Sequence, residues 1–314
     1  MKNMKNKIMN KINNFDDFNL QTKKSENDGD IMSIAFKDII TASQSATIIE
    51  IANLMVEKDI RRVPITDPGS GKLLGIVTTM DILDFFGGGK KYNLITEKHK
   101  GNFLSAINAP IREIMTSNVK TMTNKDTIID AATLMLEEHI GGCPIVNSAD
   151  EIVGMVTEGD VVSKFDKLIS DLEVQNIMAT DIITTTPGTR IEGIAKIMVR
   201  NSLRRVPIVG ENPQLPSSKE ELLGFVTASD ILKYIGQHKL FTKLFSNDGN
   251  DVVDITVDEL MITDIITASK YDKLGDIANT MFESNIRGIP VVDDDSGKII
   301  GIITIRDLLK AIVQ

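Results

Sequence analysis

The sequence predicts an α/β protein made of four copies of a β-α-β-β-α repeat, α+β in character within each copy. Three observations predict it. Four segments run from Asp or Asn to Pro over the same 26-residue interval: Asp38 to Pro64, Asn118 to Pro144, Asp181 to Pro207 and Asp264 to Pro290. After each Pro comes a turn and then Gly-x-[Val/Ile]-Thr-x-x-Asp, at Gly75 to Asp81, Gly154 to Asp160, Gly224 to Asp230 and Gly301 to Asp307. Between the two lies one apolar helical face at constant distance from the Pro. A fixed period gives the architecture before any single residue is interpreted. A unit repeated four times also suits a binding scaffold better than one catalytic centre.

Each repeat opens with a short β-prone run: Ile39-Ile40-Thr41, Val119-Lys120-Thr121, Ile182-Ile183-Thr184 and Ile265-Ile266-Thr267. The helix that follows carries apolar residues at i, i+3, i+4, i+7 and i+8. These are Ile48, Ile51, Ala52, Met55, Val56 in the first copy, and Ile128, Ala131, Ala132, Met135, Leu136 in the second. In the third they are Ile191, Ile194, Ala195, Met198, Val199, and in the fourth Leu274, Ile277, Ala278, Met281, Phe282. This spacing is one buried helical face, so the Met residues are core. The recurrent Ala implies close helix–sheet packing. Strands then hold Val63-Pro64-Ile65, Cys143-Pro144-Ile145, Val206-Pro207-Ile208 and Ile289-Pro290-Val291. Pro within a strand predicts an edge strand or a first strand residue. Turns such as Asp67-Pro68-Gly69-Ser70-Gly71 and Asp293-Asp294-Asp295-Ser296-Gly297 lead to the last strand, and a second helix follows the Asp.

The repeats pair off. Pro64 to Pro144 is 80 residues and Pro207 to Pro290 is 83, but Pro144 to Pro207 is only 63. The first and third copies share Arg-Arg-Val-Pro; the second and fourth share Gly two residues before the Pro (Gly142, Gly288). A duplicated two-repeat unit explains both patterns. A unit of 50 to 60 residues buries little surface alone, so docking within each half is expected. The expected limits are a flexible tail over 1–33 and repeats over 34–87, 110–166, 174–236 and 257–314, with connectors from Gly87 to Pro110 and from Gly236 to Asp258.

Composition narrows the function classes. The net charge of −9 over 314 residues argues against broad contact with nucleic-acid backbones. No run approaches the roughly 18 apolar residues of a membrane helix. The opening segment has a basic start but no apolar core, so it does not resemble a signal peptide. Cys143 is the sole cysteine, which fits a reducing, cytoplasmic setting, and is taken as a small buried residue rather than a nucleophile. His99, His139 and His238 lack ligand-spaced partners, so no metal site is expected. No nucleophile–base pair points to catalysis, and the chain is not expected to be an enzyme.

The Thr-x-x-Asp segments (Thr78/Asp81, Thr157/Asp160, Thr227/Asp230, Thr304/Asp307) sit where a strand becomes a helix. Thr as N-cap with an acid at the third helical position is a capping box. Such boxes favour the longer Glu or Gln, whereas this chain uses Asp in every copy. The helix start also offers N–H groups and a positive dipole end to an anion. Paired basic residues precede the Pro in two copies (Arg61-Arg62, Arg204-Arg205) and Arg287 in the fourth. The second copy reads Gly141-Gly142-Cys143 there and has Glu158 after Thr157, so its own site should be weakest for phosphate. For Lys90 and Lys91 in the glycine-rich connector two readings stand, closure over a phosphate and a solvated loop, and the solvated loop is preferred.

Over residues 34–314 these features together resemble cystathionine-β-synthase (CBS) domains, which pair head-to-head into Bateman modules. The arrangement is similar to the gamma subunit of AMP-activated protein kinase and to archaeal four-CBS proteins. The resemblance implies two Bateman modules in a disk-like body and a non-catalytic regulatory module. It implies AMP, ADP or ATP in clefts between repeats, no prosthetic group, and an unidentified regulated protein that receives the occupancy signal. Homodimer formation is left open. The Asp residues would accept from ribose hydroxyls with the Thr nearby, while Arg62, Arg205 and Arg287, with their neighbours Arg61 and Arg204, would meet phosphate, whose oxygens match a guanidinium fork. Adenine would pack on Ile40, Thr41, Val63, Ile183, Thr184, Val206, Ile266, Thr267 and Ile289. Two alternatives stand beside this: binding of S-adenosylmethionine or methylthioadenosine, and a ligand-free oligomerisation scaffold in which Thr-x-x-Asp only caps helices.

Overall fold

The computed structural model of the chain describes residues 30–87, 89–211, 220–236 and 255–313. Repeat 1 is β1 (Ala42–Ser43), α1 (Ile48–Glu57), β2 (Arg62–Thr66), β3 (Leu73–Thr78) and α2 (Thr79–Gly87). A connector helix, α3 (Phe103–Ile107), leads to repeat 2: β4 (Met122–Thr123), α4 (Ile128–Glu137), β5 (Gly142–Val146), β6 (Ile152–Thr157) and α5 (Glu158–Phe165). Repeat 3 holds α6 (Ile191–Arg200), β7 (Arg205–Glu211), β8 (Glu220–Thr227) and α7 (Ala228–Gly236). Repeat 4 is β9 (Ala268–Ser269), α8 (Leu274–Glu283), β10 (Gly288–Val292), β11 (Ile299–Thr304) and α9 (Ile305–Val313). The β-α-β-β-α order is the predicted one in repeats 1, 2 and 4, and repeat 3 follows it without a named opening strand.

Local chemistry repeats with the sequence. Each first helix ends on a non-glycine residue in the left-handed region, Asp59, His139, Ser202 or Asn285, with φ between 50° and 55°. The next N–H then reaches back to the Met carbonyl of the last turn: Ile60 to Met55, Ile140 to Met135, Leu203 to Met198 and Ile286 to Met281, at 2.8–3.1 Å. This is the bond of a Schellman ending. In repeats 1 and 4 the strand turn is held by an acid: Asp67 Oδ1 accepts from the Ser70 N–H and hydroxyl, and Asp293 Oδ1 from those of Ser296.

Three expectations need correction. The opening β-prone runs are not themselves paired strands. The parallel ladder starts one residue after each run in repeats 1, 2 and 4 (Ala42↔Ile65, Met122↔Ile145, Ala268↔Val291) and is one bridge, Thr185↔Ile208, in repeat 3. Nor does the Pro strand lie at an edge: β2, β5 and β10 are central in their three-stranded sheets. The Pro is tolerated there because of what stands opposite it. Pro64, Pro144, Pro207 and Pro290 face Ile76, Met155, Phe225 and Ile302. Those residues turn N–H and C=O the other way, to Thr116, Phe36, Ile262 and Ala179, each pair exchanging two bonds of 2.9 Å. The Pro therefore sits at a non-hydrogen-bonded position of its hairpin, where no N–H is needed. Third, residues 30–33, expected to belong to a flexible tail over 1–33, are folded. Residues 1–29 lie outside the described region, but Asp30–Ser33 form a 3-10 helix whose Ile31 is fully buried among repeat 2 side chains. Asp30 Oδ1 accepts from the Ile128 N–H at 2.9 Å, at the start of α4.

The lead segment of each repeat thus completes the other repeat of its half. Phe36 pairs with β6, Thr116 with β3, Ala179 with β11 and Ile262 with β8. Helices dock in the opposite sense, between halves. One core joins repeats 2 and 4, with α5 against α9; α2 and α7 bring repeats 1 and 3 together, through Leu83 against Ala195 and Met198 and through Leu232 in the repeat 1 core. Docking within each half is real, but it is only part of the packing. The recurrent Ala also serves helix–helix contact: a Cβ on Gly87 would lie 3.0 Å from the Ala195 Cβ. Phe103 of the first connector packs against Phe85 and Phe86 of α2, the three rings edge to face or tilted with centroids 5.2–6.2 Å apart; the second connector lies outside the described residues over 237–254.

Ile31→Ala should lower the unfolding free energy by about 2–4 kcal/mol, the usual cost of deleting a buried Ile side chain. A urea titration of the full chain measures it; a change near zero would mean that Ile31 is not part of the repeat 2 core.

Candidate functional site

Each Thr-x-x-Asp segment folds as a helix cap, and the cap leaves half of the carboxylate unused. Asp81 Oδ2 accepts from the Thr78 N–H at 2.6 Å and its hydroxyl at 2.7 Å. Asp160, Asp230 and Asp307 repeat this with Thr157, Thr227 and Thr304, at 2.6–3.0 Å. One oxygen closes the box, so capping does not compete with a second task for Oδ1. The first N–H of each helix is also taken: Thr79, Glu158, Ala228 and Ile305 donate to the carbonyls of Arg61, Gly141, Arg204 and Arg287. The helix starts are less open to an anion than expected.

The four Asp residues differ in what meets Oδ1. Lys91, expected to be solvated, reaches back from the connector and pairs with Asp81 Oδ1. Asp307 has Lys310 at 3.9 Å, and burial raises its carboxyl above the usual range. Asp160 and Asp230 have no ion pair to a side chain among the described residues.

The arginines converge. Arg62 of repeat 1 lies over Gly142 of repeat 2, where a Cβ would overlap its Nη1; Arg205 of repeat 3 lies over Gly288 of repeat 4 in the same way. Arg204 lies against Gly141, and Arg287 against Gly159. The Gly that marks the even repeats is therefore the space that receives the Arg of the odd repeats. Gly142 also has φ 150°, which disfavours any side chain. Burial, then repulsion from Arg204, pushes both Arg62 and Arg205 down to about 10, so both stay cationic at neutral pH. Burial and Arg287 also lower Arg61.

One acid sits among them. Glu158, 7% exposed, accepts from Arg306 Nε at 2.6 Å and has Arg204 Nη1 at 3.7 Å. Arg205 donates to the Arg287 carbonyl. Arg62 Nη1 and Arg306 Nη2 are buried without any hydrogen-bond partner, an arrangement that costs free energy unless an acceptor arrives. Sequence reasoning missed Arg306, though a signal exists. It is the basic residue of the Thr-x-x-Asp segment, where the other repeats place Met80, Gly159 and Ser229.

The candidate apolar wall divides. Val63, Val206 and Ile289 have no exposed surface and belong to the core, so they leave the list: on the Pro strand their side chains face the repeat's own helix. Ile183 and Ile266 are 39% and 43% exposed, so their side chains stay open to solvent. Ile40 is half-buried, while repeat 2 carries Lys120 at this position, paired with Glu138 at 2.8 Å. Thr41 and Thr267 are exposed and Thr184 half-buried; none is hydrogen-bonded to the arginines. Cys143 is fully buried, and burial pushes its thiol up to about 12. Among the described residues no group of three or more His, Cys, Asp or Glu comes together to hold a metal, and no helix is long and apolar enough to cross a membrane.

Comparison with known proteins agrees with this geometry. The family model described as "CBS domain" matches residues 29–88, 111–167, 174–237 and 257–314. Protein MJ1225 of Methanocaldococcus jannaschii is 39% identical over 282 residues, covering 89% of this chain and 98% of that protein. Its crystal structure, described as that of a candidate archaeal homologue of g-AMPK, superposes with a TM-score of 0.82 over 89% of this chain and 98% of that one. A conserved protein of Pyrococcus horikoshii shares the fold at a TM-score of 0.57 and 21% identity, over 90% of this chain and 99% of its own.

Two outcomes check the site. Gly142→Ala should destabilise by about 1–3 kcal/mol, because the new Cβ meets the Val156 carbonyl as well as Arg62. Gly288→Ala should cost less, since only the Arg205 side chain is in the way. Urea midpoints of the two variants give the comparison, and equal losses would contradict it. The Cys143 thiol should react with Ellman's reagent only after unfolding.

Proposed function

Because the chain belongs to the CBS domain family, we propose that it is a regulatory, non-catalytic protein that binds adenine nucleotides in clefts between its repeats and passes the occupancy state to another protein. The observation that carries this reading is the pair of buried, unpartnered guanidinium nitrogens, Arg62 Nη1 and Arg306 Nη2, inside a convergence of arginines from three repeats. Phosphate oxygens are the acceptors such forks fit best. The free Oδ1 of Asp230 and Asp160 supplies an acceptor for neighbouring ribose hydroxyls, and Ile183 and Ile266 supply exposed apolar surface for a base. The description of the jannaschii relative as a g-AMPK homologue supports the same ligand class.

The cluster weighs against S-adenosylmethionine, whose sulfonium would enter a field that is already positive. It also weighs against a pure scaffold, which has no use for desolvated arginines lacking partners. Signalling would follow from differential binding. Arg62, Arg204, Arg205 and Arg287 reach from one repeat to another, so an anion among them ties the relative placement of repeats to occupancy.

Isothermal titration of the full chain with AMP, ADP, ATP and S-adenosylmethionine tests the reading: nucleotides are expected to bind at micromolar concentrations, and binding of S-adenosylmethionine alone would overturn it. Asp230→Asn should cost about 1 kcal/mol of stability, as for a weakened cap, yet lower affinity at its site roughly tenfold or more through loss of charge-assisted bonds. Unchanged affinity would leave Asp230 a cap and nothing else.

A further inference from the structure

We propose that Glu158 is a built-in counter-anion of the arginine cluster, and that it sets how many phosphate charges the cluster accepts. The inference rests on the reading that ligand phosphates go to these arginines. Glu158 is not needed for capping, which Thr157 and Asp160 already complete. The same position holds Thr79, Ala228 and Ile305 in the other repeats, so a carboxylate there is particular to repeat 2. It is nearly buried, and burying an acid costs stability unless cations surround it. They do. Arg306 of repeat 4 binds Oε1 and Arg204 of repeat 3 faces Oε2. The charge of Glu158 is also felt by Arg62 of repeat 1 and by Arg205 of repeat 3.

The balance of charge at this place is strongly positive. Arg61, Arg62, Arg204, Arg205 and Arg287 repel one another in several pairs, and Arg306 adds a further cation held by Glu158 itself. A carboxylate and a terminal phosphate are interchangeable partners for a guanidinium fork. Glu158 thus occupies one anion position that a polyphosphate would otherwise take. A ligand with a single phosphate can use Arg62 Nη1 and Arg306 Nη2 beside the carboxylate. Each further phosphate adds negative charge close to Glu158, where like charges cost more than in water. The consequence is a bias toward fewer phosphates, written into one side chain.

The test compares the full chain with Glu158→Gln by calorimetric titration of AMP, ATP and inorganic tripolyphosphate, with thermal melts in parallel. Removing the carboxylate should raise ATP affinity about tenfold or more, with AMP changing far less, and tripolyphosphate should stabilise the variant more than the parent. Equal changes for AMP and ATP, or weaker ATP binding, would overturn the proposal. If neither protein binds nucleotides, the adenine reading fails on its own, and the tripolyphosphate titration still decides the role of Glu158 by the same criterion. If Glu158→Gln folds only when tripolyphosphate is present, an anion is replacing the carboxylate, as proposed; if it stays unfolded at saturating anion, Glu158 is a structural residue and the proposal falls.

Discussion

No repeat in this chain can finish its own sheet. The outward N–H and C=O of Ile76, Met155, Phe225 and Ile302 are satisfied by lead segments that belong to the other repeat of the half. An unpaired backbone edge in a packed interior is costly, so pairing is a condition of folding rather than a later association. The other features follow. The outward turn of those residues leaves a non-hydrogen-bonded place for Pro in a central strand. The exchange also brings the Pro strands of two repeats near one another, and with them the residues two and three positions before each Pro. The arginines of one repeat then reach the glycines of the next.

Those arginines make a different kind of constraint. Hydrophobic packing holds the four repeats together in two directions, by sheet edges within halves and by helices between them. The place where all four meet is instead cationic. Like charges held close in a low dielectric repel strongly, and the packing elsewhere must offset that repulsion. Glu158 relieves part of it. What remains is a centre whose positive charge is only partly offset, with Arg62 Nη1 and Arg306 Nη2 still lacking acceptors.

The sequence made the architecture legible because periodicity is insensitive to detail. The i+3, i+4 and i+7 positions of each first helix, such as Ile51, Ala52 and Met55, are buried as expected, while Val56, Leu136, Ile191 and Val199 are half-buried, and each Thr-x-x-Asp folds as a cap. Errors arose where a neighbour in space, not in sequence, decides the outcome. Pro64 looked like an edge residue because its hairpin partner's bonds to Thr116 cannot be seen in a linear chain. Ile31 looked like tail because its core belongs to repeat 2. Val63, Val206 and Ile289 are as β-prone in sequence as Ile183 and Ile266, but they lie on paired strands inside the core, whereas Ile183 and Ile266 lie exposed in unpaired runs. The pairing of Gly142 with Arg62 was half visible: both residues stood out, at the same offset from Pro, but their meeting required the fold.

The four copies of one fold keep the shape of the Thr-x-x-Asp segment and differ in the charge around it. Asp81 is engaged by Lys91, so its Oδ1 is already paired within the chain. Repeat 2 has lost its isoleucine to Lys120 and its arginines to glycines, and has gained Glu158. Burial raises the Asp307 carboxyl above its ordinary value, whereas Asp230 keeps an oxygen clear of any ion pair among the described residues. Repeat 2 nevertheless receives Arg62, Arg204 and Arg287 from its neighbours. The repeat with the least positive charge in sequence is thus the one around which the protein's positive charge collects, and its glycines are what make the room.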